Sequence, residues 1–134
     1  MGNDEESKKF VLIVEDDPLT VVYVRTLLEP HGYEVYSVTN GKNCLQALAQ
    51  YQFDLLIIDM LMPVYDGQST TIDIKNNKDL KDIPIVIITA SEEENAKDNA
   101  LFAGADAFLT KPIKKDEMLK TLKQMIQNKP MKAA

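Results

Sequence analysis

Five short apolar runs, FVLIV, EVYSV, DLLII, PIVIIT and AFLT, recur along the chain with amphipathic stretches of helical period between them. That alternation is the pattern of a parallel sheet flanked by helices, because parallel strands need crossover connections that end up covering the sheet faces. The third run is the most informative. In LLIIDMLMPVYDG, four large aliphatics from Leu55 to Ile58 show no polar alternation and end on a carboxylate, Asp59. A strand covered on both faces has this pattern, and Pro63 with Asp66-Gly67 then forces a turn. Asp59 is thereby expected at the strand's C-terminal end, the edge at which open α/β sheets bind ligands.

Helices are predicted from near Pro18, Gly41, Gln68, Ser91 and Lys114. Asp17-Pro18 reads as an N-cap followed by proline at the first helical position, and Ser91 with Glu94 fits a capping box. His31-Gly32 and Gly104 mark helix ends, His31 being a solvated C-terminal cation. A chain of 134 residues suits one domain with a single sizeable core. The expectation is a domain over residues 9–128 between short solvated tails, 1–8 and 129–134.

Charge and composition exclude several classes. A net charge of -6, with lysines interleaved among acids, argues against a broad nucleic-acid grip. In the lysine-rich end, Ile113, Met118, Leu119, Leu122 and Ile126 fall near helical spacing, so its lysines read as a solvated face. No apolar run approaches the ~20 residues needed to span a bilayer, and MGNDEESKK has no signal-peptide core. The single cysteine, Cys44, permits neither an internal disulfide nor a cysteine-based zinc site, which fits a reducing cytoplasm. It reads as a small helix residue.

In a (βα)5 chain the residues just after each strand share one edge, so their polar groups can be gathered directly from the sequence. Strand one ends in Glu15-Asp16-Asp17, strand three in Asp59, strand four in Thr89-Ala90, and strand five runs into Lys111-Pro112. Carboxylates so crowded raise one another's pKa unless a cation sits among them. Oxygen donors without nearby histidine or cysteine favour a hard ion, Mg²⁺ first, with Mn²⁺ as a possible substitute. Asp17 is turned toward its helix as an N-cap, leaving Glu15 and Asp16 for the metal. A carboxylate beside such an ion can act as nucleophile toward a phosphoryl group, and Asp59 is the candidate. Lys111 and Thr89, with the Ala90 amide, would steady the charge on the transferring group.

EDD after strand one, DMLMPVYDG at strand three, TA after strand four and FLTKP at strand five resemble the receiver domain of bacterial response regulators, in register from about Phe10 to Gln127. The resemblance implies a flavodoxin-like doubly wound sandwich with strand order 2-1-3-4-5. It implies that Asp59 takes phosphate from a phosphohistidine on a sensor histidine kinase or histidine phosphotransfer protein. It further implies that Asp16, Asp59 and the Met60 carbonyl bind Mg²⁺ directly while Glu15 acts through water, that the Lys111-Pro112 peptide is cis, and that Thr89 and Phe108 form a switch.

Positions two after Asp59 and two after Thr89, here Leu61 and Ser91, influence phosphate lifetime in that family. Leu61 offers no group to orient an attacking water, so self-dephosphorylation is expected to be slow. The chain stops after the fifth helix, so output is expected through protein contacts or onward phosphotransfer. Leu101 and Phe102 are the expected partner surface, since Ala96, Ala100 and Ala103 take the packed face of helix four. Two other classes compete. An unphosphorylated pseudo-receiver would act as a binding module, and an aspartate-nucleophile phosphohydrolase would want an acid where Leu61 stands.

Overall fold

The computed structural model describes residues 8–90 and 95–127. Five strands, β1 (Lys9–Val14), β2 (Tyr33–Val38), β3 (Leu55–Asp59), β4 (Ile85–Thr89) and β5 (Ala107–Thr110), pair in parallel in the order β2-β1-β3-β4-β5. Five helices connect or follow them: α1 (Pro18–Leu28), α2 (Gly41–Gln50), α3 (Gly67–Lys75), α4 (Ala96–Phe102) and α5 (Lys115–Gln127). This is the helix-flanked parallel sheet expected from the alternation, in the flavodoxin-like strand order that the resemblance implied.

Side chains alternate across a strand, so each strand feeds two cores. Val11, Ile13, Leu55, Ile57, Val86 and Ile88 pack in one layer with Val21, Val24 and Leu28 of α1 and Met118 and Leu122 of α5. Leu12, Val14, Leu56, Ile58, Ile85 and Ile87 pack in the other with residues of α2, α3 and α4. The central strands β3 and β4 are buried along their whole length, which is why their sequences show no polar alternation. Cys44 belongs to the second layer, where burial pushes its thiol up to about 12 and keeps it protonated.

Local signals place the helix starts. Asp17 caps α1 by accepting from the Leu19 amide at 3.1 Å, and its other oxygen accepts from the Thr20 hydroxyl at 3.0 Å. Asp66 caps α3, accepting from Ser69 N at 2.7 Å. Gly32 and Gly104 lie at φ 91° and 108°, a region that suits glycine after a helix. A short 3-10 turn, Glu29–His31, intervenes before Gly32. The capping box at Ser91 and Glu94 lies outside the described residues, as do residues 1–7 and 129–134 of the expected tails.

At the N-terminal edge of the sheet, Lys75 ties segments distant in sequence. Its ammonium donates to Lys81 O, Ile83 O and Asp106 Oδ2, each at 3.0 Å, while Asp106 Oδ2 also accepts from Ile85 N at 2.8 Å. One lysine therefore closes the turn into β4 onto the turn into β5. Lys75→Met keeps the apolar stem but takes the donor from the Lys81 and Ile83 carbonyls and the counter-ion from Asp106, and a urea melt is expected to show a loss of about 2 kcal/mol. An unchanged midpoint would show that water replaces the ammonium at no cost.

Candidate functional site

The C-terminal edge of the sheet collects the residues that the strand ends pointed to. Glu15 follows β1 and is 1% exposed, Asp59 ends β3 at 4%, and Thr89 ends β4 fully buried. Asp16 is exposed, because it sits where the chain leaves the sheet for the Asp17 cap. Carboxylate oxygens of Glu15, Asp16 and Asp59 all lie within 4.8 Å of one another. Lys111 reaches in from the loop after β5, with Nζ 2.9 Å from Glu15 Oε1 and 3.6 Å from Asp59 Oδ2. The Lys111-Pro112 peptide is cis, and Lys111 N donates to Thr89 O at 2.9 Å.

The electrostatics follow from Glu15 and Asp59 sharing one ammonium, with Asp16 close beside them. Burial raises the Glu15 carboxyl to about 7, and Asp59 adds to the rise, against the lowering effect of Lys111 and the Asp17 amide. Burial alone would lower the Lys111 ammonium, but Glu15 and Asp59 outweigh it and hold that group above its usual value. The pocket therefore carries more negative charge than its one lysine neutralises. An all-oxygen donor set with such an excess fits a hard divalent cation, and the residues present suit Mg²⁺.

The approach to Asp59 is shaped by its loop. Leu61 N donates to Asp59 Oδ1 at 3.3 Å, while the Leu61 side chain stays 60% exposed. The Met60 carbonyl accepts from Gly67 N at 3.1 Å and keeps a second lone pair. Gly67 is required here by closeness, since a Cβ at that position would fall 2.2 Å from the Asp59 carbonyl oxygen and 2.8 Å from Met60 Cα. The left-handed residue of the loop is Val64, at φ 71°, where Asp66-Gly67 had been expected to supply the turn. Asp66 and Gly67 instead begin α3.

Of the remaining expected residues, Ala90 follows Thr89 and is exposed. Phe108 lies in β5 opposite Ile87, half-buried against the layer that contains α4. Ala96, Ala100 and Ala103 are buried, Leu101 is 44% exposed and Phe102 85%. Another exposed apolar stripe escaped the sequence reading. Leu19, Val22 and Tyr23 emerge from α1 at 77%, 58% and 44% exposure, and the Tyr23 hydroxyl donates to Ile113 O at 2.6 Å. Their i, i+3, i+4 spacing was a readable signal, masked because the inward positions of PLTVVYVRTLL are apolar too.

A sandwich with three acids and a lysine at the carboxyl edge of its strands defines a class, the receiver domains of two-component signalling. Residues 11–123 match the response regulator receiver domain family, and this chain belongs to it. It is 30% identical over 118 residues to the polar-differentiation response regulator DivK of Brucella anthropi, spanning 88% of this chain and 96% of that one. It is 38% identical over 111 residues to the sensor protein GacS of Pseudomonas syringae, where the match spans 81% of this chain but 12% of that much longer protein. Among solved structures, the receiver domain of a sensor histidine kinase from Pseudomonas aeruginosa superposes with a TM-score of 0.84 at 29% identity, covering 90% of this chain and 99% of that one. That structure has a magnesium ion coordinated in its active-site cleft. The signal receiver domain of a histidine kinase from Syntrophus aciditrophicus gives a TM-score of 0.86 at 31% identity, covering 94% and 96%. Among the described residues no helix is long and apolar enough to cross a membrane.

Proposed function

We propose that Asp59 accepts a phosphoryl group from a phosphohistidine of a sensor histidine kinase or histidine phosphotransfer protein, in a Mg²⁺-dependent reaction, and that the chain catalyses only its own phosphorylation and dephosphorylation. The observation that carries this reading is the placement of Asp59, buried at a strand end beside both Lys111 and the Glu15-Asp16 pair. An Asp59 oxygen forms the new P–O bond as the donor's P–N bond breaks, and the departing imidazole nitrogen keeps the electron pair. Lys111, Thr89 and the Ala90 amide hold the equatorial phosphoryl oxygens as charge spreads over them. Asp16, Asp59 and the Met60 carbonyl would hold the metal, with Glu15 contributing through water, since both Glu15 oxygens already face Lys111 and the Asp17 amide. When bound, Mg²⁺ supplies positive charge against which the carboxylates and phosphoryl oxygens can approach; Mn²⁺ offers the same chemistry.

The apolar stripe on α1 borders this edge and suits a helical donor surface. Output is carried by a second face, Leu101 and Phe102 on α4. Its link to Asp59 is Thr89, drawn toward the phosphate, with Phe108 turning further inward behind it. A cytoplasmic setting accords with a single cysteine that can form no internal disulfide.

Incubation with a small phosphoryl donor and Mg²⁺ separates the alternatives. A stable mass gain confined to Asp59 is expected. Continuous donor turnover would mark a phosphohydrolase, and neither uptake nor turnover a pseudo-receiver. Asp16→Ala is expected to remove Mg²⁺-dependent uptake, because it takes away the exposed carboxylate of the set; retained dependence would move the direct ligand to Glu15. Leu101→Asp is expected to weaken the downstream partner about tenfold, as a charge replaces an apolar contact, while Asp59 labelling continues. Normal binding by that variant would remove α4 from the output face.

A further inference from the structure

The loop from Met60 to Asp66, which joins β3 to α3, starts at the acceptor and contains a strained point. Tyr65 N donates to Pro63 O at 2.7 Å across Val64, whose φ is 71°. A three-residue closure around a positive φ is a γ-turn of the rare, strained kind, and a β-branched residue suits that region poorly. Side-chain packing does not hold Val64 there. Met62 packs against the core, but Val64 stays 73% exposed.

Tyr65 fastens the turn instead, with each of its polar groups engaged. Its amide closes the turn, its carbonyl accepts from Gly41 N at 3.2 Å, and its hydroxyl donates to Asp73 Oδ2 at 2.5 Å, nearly two turns into α3. The last two bonds anchor the loop to α2 and α3. Gly41 lies so close that a Cβ there would meet Tyr65 O at 2.8 Å and Tyr65 Cδ2 at 3.0 Å. The Asp73 carboxylate raises the phenol above its usual pKa, so it stays protonated and donating.

Upstream of the turn, Leu61 N lies 3.3 Å from Asp59 Oδ1, while Asp59 Oδ2 faces Lys111 at 3.6 Å. The amide thus helps to orient the carboxylate. A turn that relaxed at Val64 would draw Leu61 with it, because the Leu61 side chain is exposed, whereas the Met60 carbonyl is tied to Gly67 N. We propose that Tyr65, braced by Asp73, is a positioning residue for phosphoryl transfer: it holds Val64 in its strained turn and thereby keeps the Leu61 amide against the acceptor carboxylate. This role rests on the reading of Asp59 as acceptor. It needs a phenol, since phenylalanine would keep the ring beside Gly41 but lose the grip on α3.

The test follows Asp59 labelling by a small phosphoryl donor with excess Mg²⁺ and, in the unphosphorylated protein, amide exchange by ¹⁵N NMR. Tyr65→Phe and Asp73→Ala are each expected to slow labelling about fivefold and to quicken exchange of the Leu61 amide by a similar factor. Amides of α5, on the opposite face of the sheet, are expected to exchange as before. The double variant is expected to lose no more than either single one. Adding Val64→Gly to Tyr65→Phe is expected to restore labelling, since glycine adopts that φ without strain. A merely structural contact would lower the melting temperature without changing the rate in the folded population. The role alone is overturned if the wild type labels and Tyr65→Phe labels or exchanges like it, or if Val64→Gly restores nothing. A wild type that takes up no phosphate would overturn the Asp59 reading and this role with it.

Discussion

Asp59→Asn is expected to reduce phosphoryl uptake from a small donor to background while leaving the fold intact. The carboxamide has nearly the same shape but lacks the charged oxygen that attacks phosphorus. No neighbouring acid can replace it. Glu15 is held by Lys111 at 2.9 Å and by the Asp17 amide at 3.1 Å, Asp17 is committed to capping α1, and Asp16 is exposed beyond the strand end. The Asn side chain also removes one of three crowded acids, so thermal unfolding without Mg²⁺ is expected at or above the wild-type temperature. Mass spectrometry after donor treatment and a melting curve together check both halves. Wild-type uptake by the variant would place the acceptor elsewhere, and a collapsed fold would leave Asp59 a structural rather than a chemical residue.

Gly67→Ala is expected to have the largest effect on stability of any single methyl addition at this edge. The new Cβ would meet the Asp59 carbonyl oxygen at 2.2 Å and Met60 Cα at 2.8 Å, and both are backbone atoms of a strand end buried in the sheet. Backbone cannot rotate away as a flexible side chain can, so α3 must shift or the end of β3 must. Overpacking of this kind costs roughly 3 kcal/mol, or a fall in melting temperature of about 10 °C for a domain of this size. Because the displaced atoms carry Asp59 and the Met60 carbonyl, phosphoryl uptake is expected to fall in the folded population as well. A variant that melts and labels like wild type would show that the loop yields freely.

The contrast between these two positions shows what could be read without coordinates. The order of strands and helices was legible because burial on both faces strips polar residues from β3 and β4, leaving a local signature. Asp59, Lys111 and the Glu15-Asp16 pair were legible as strand-end residues because a doubly wound sheet brings all its strand ends to one edge. The capping role of Asp17 was legible too, since the proline after it fixes a helix start.

Tertiary structure decided the rest, through contacts between segments far apart in the chain. Lys111 lies nearer Glu15 than Asp59, a choice made by packing depth that no spacing encodes. Gly67 read as a turn glycine, yet the turn's positive φ falls on Val64, and Gly67 serves a close approach to β3. Lys75 read as an ordinary helix-end lysine, and only the fold brings Lys81, Ile83 and Asp106 to it. The outward stripe of α1 was hidden for a different reason: an apolar residue has the same signature whether it packs on the sheet or awaits a partner. Sequence thus determined what each segment is and which chemistry gathers at the edge, because periodicity and strand ends are local. Distances within that edge, and the faces left open around it, are set by long-range packing and appear only when the chain is folded.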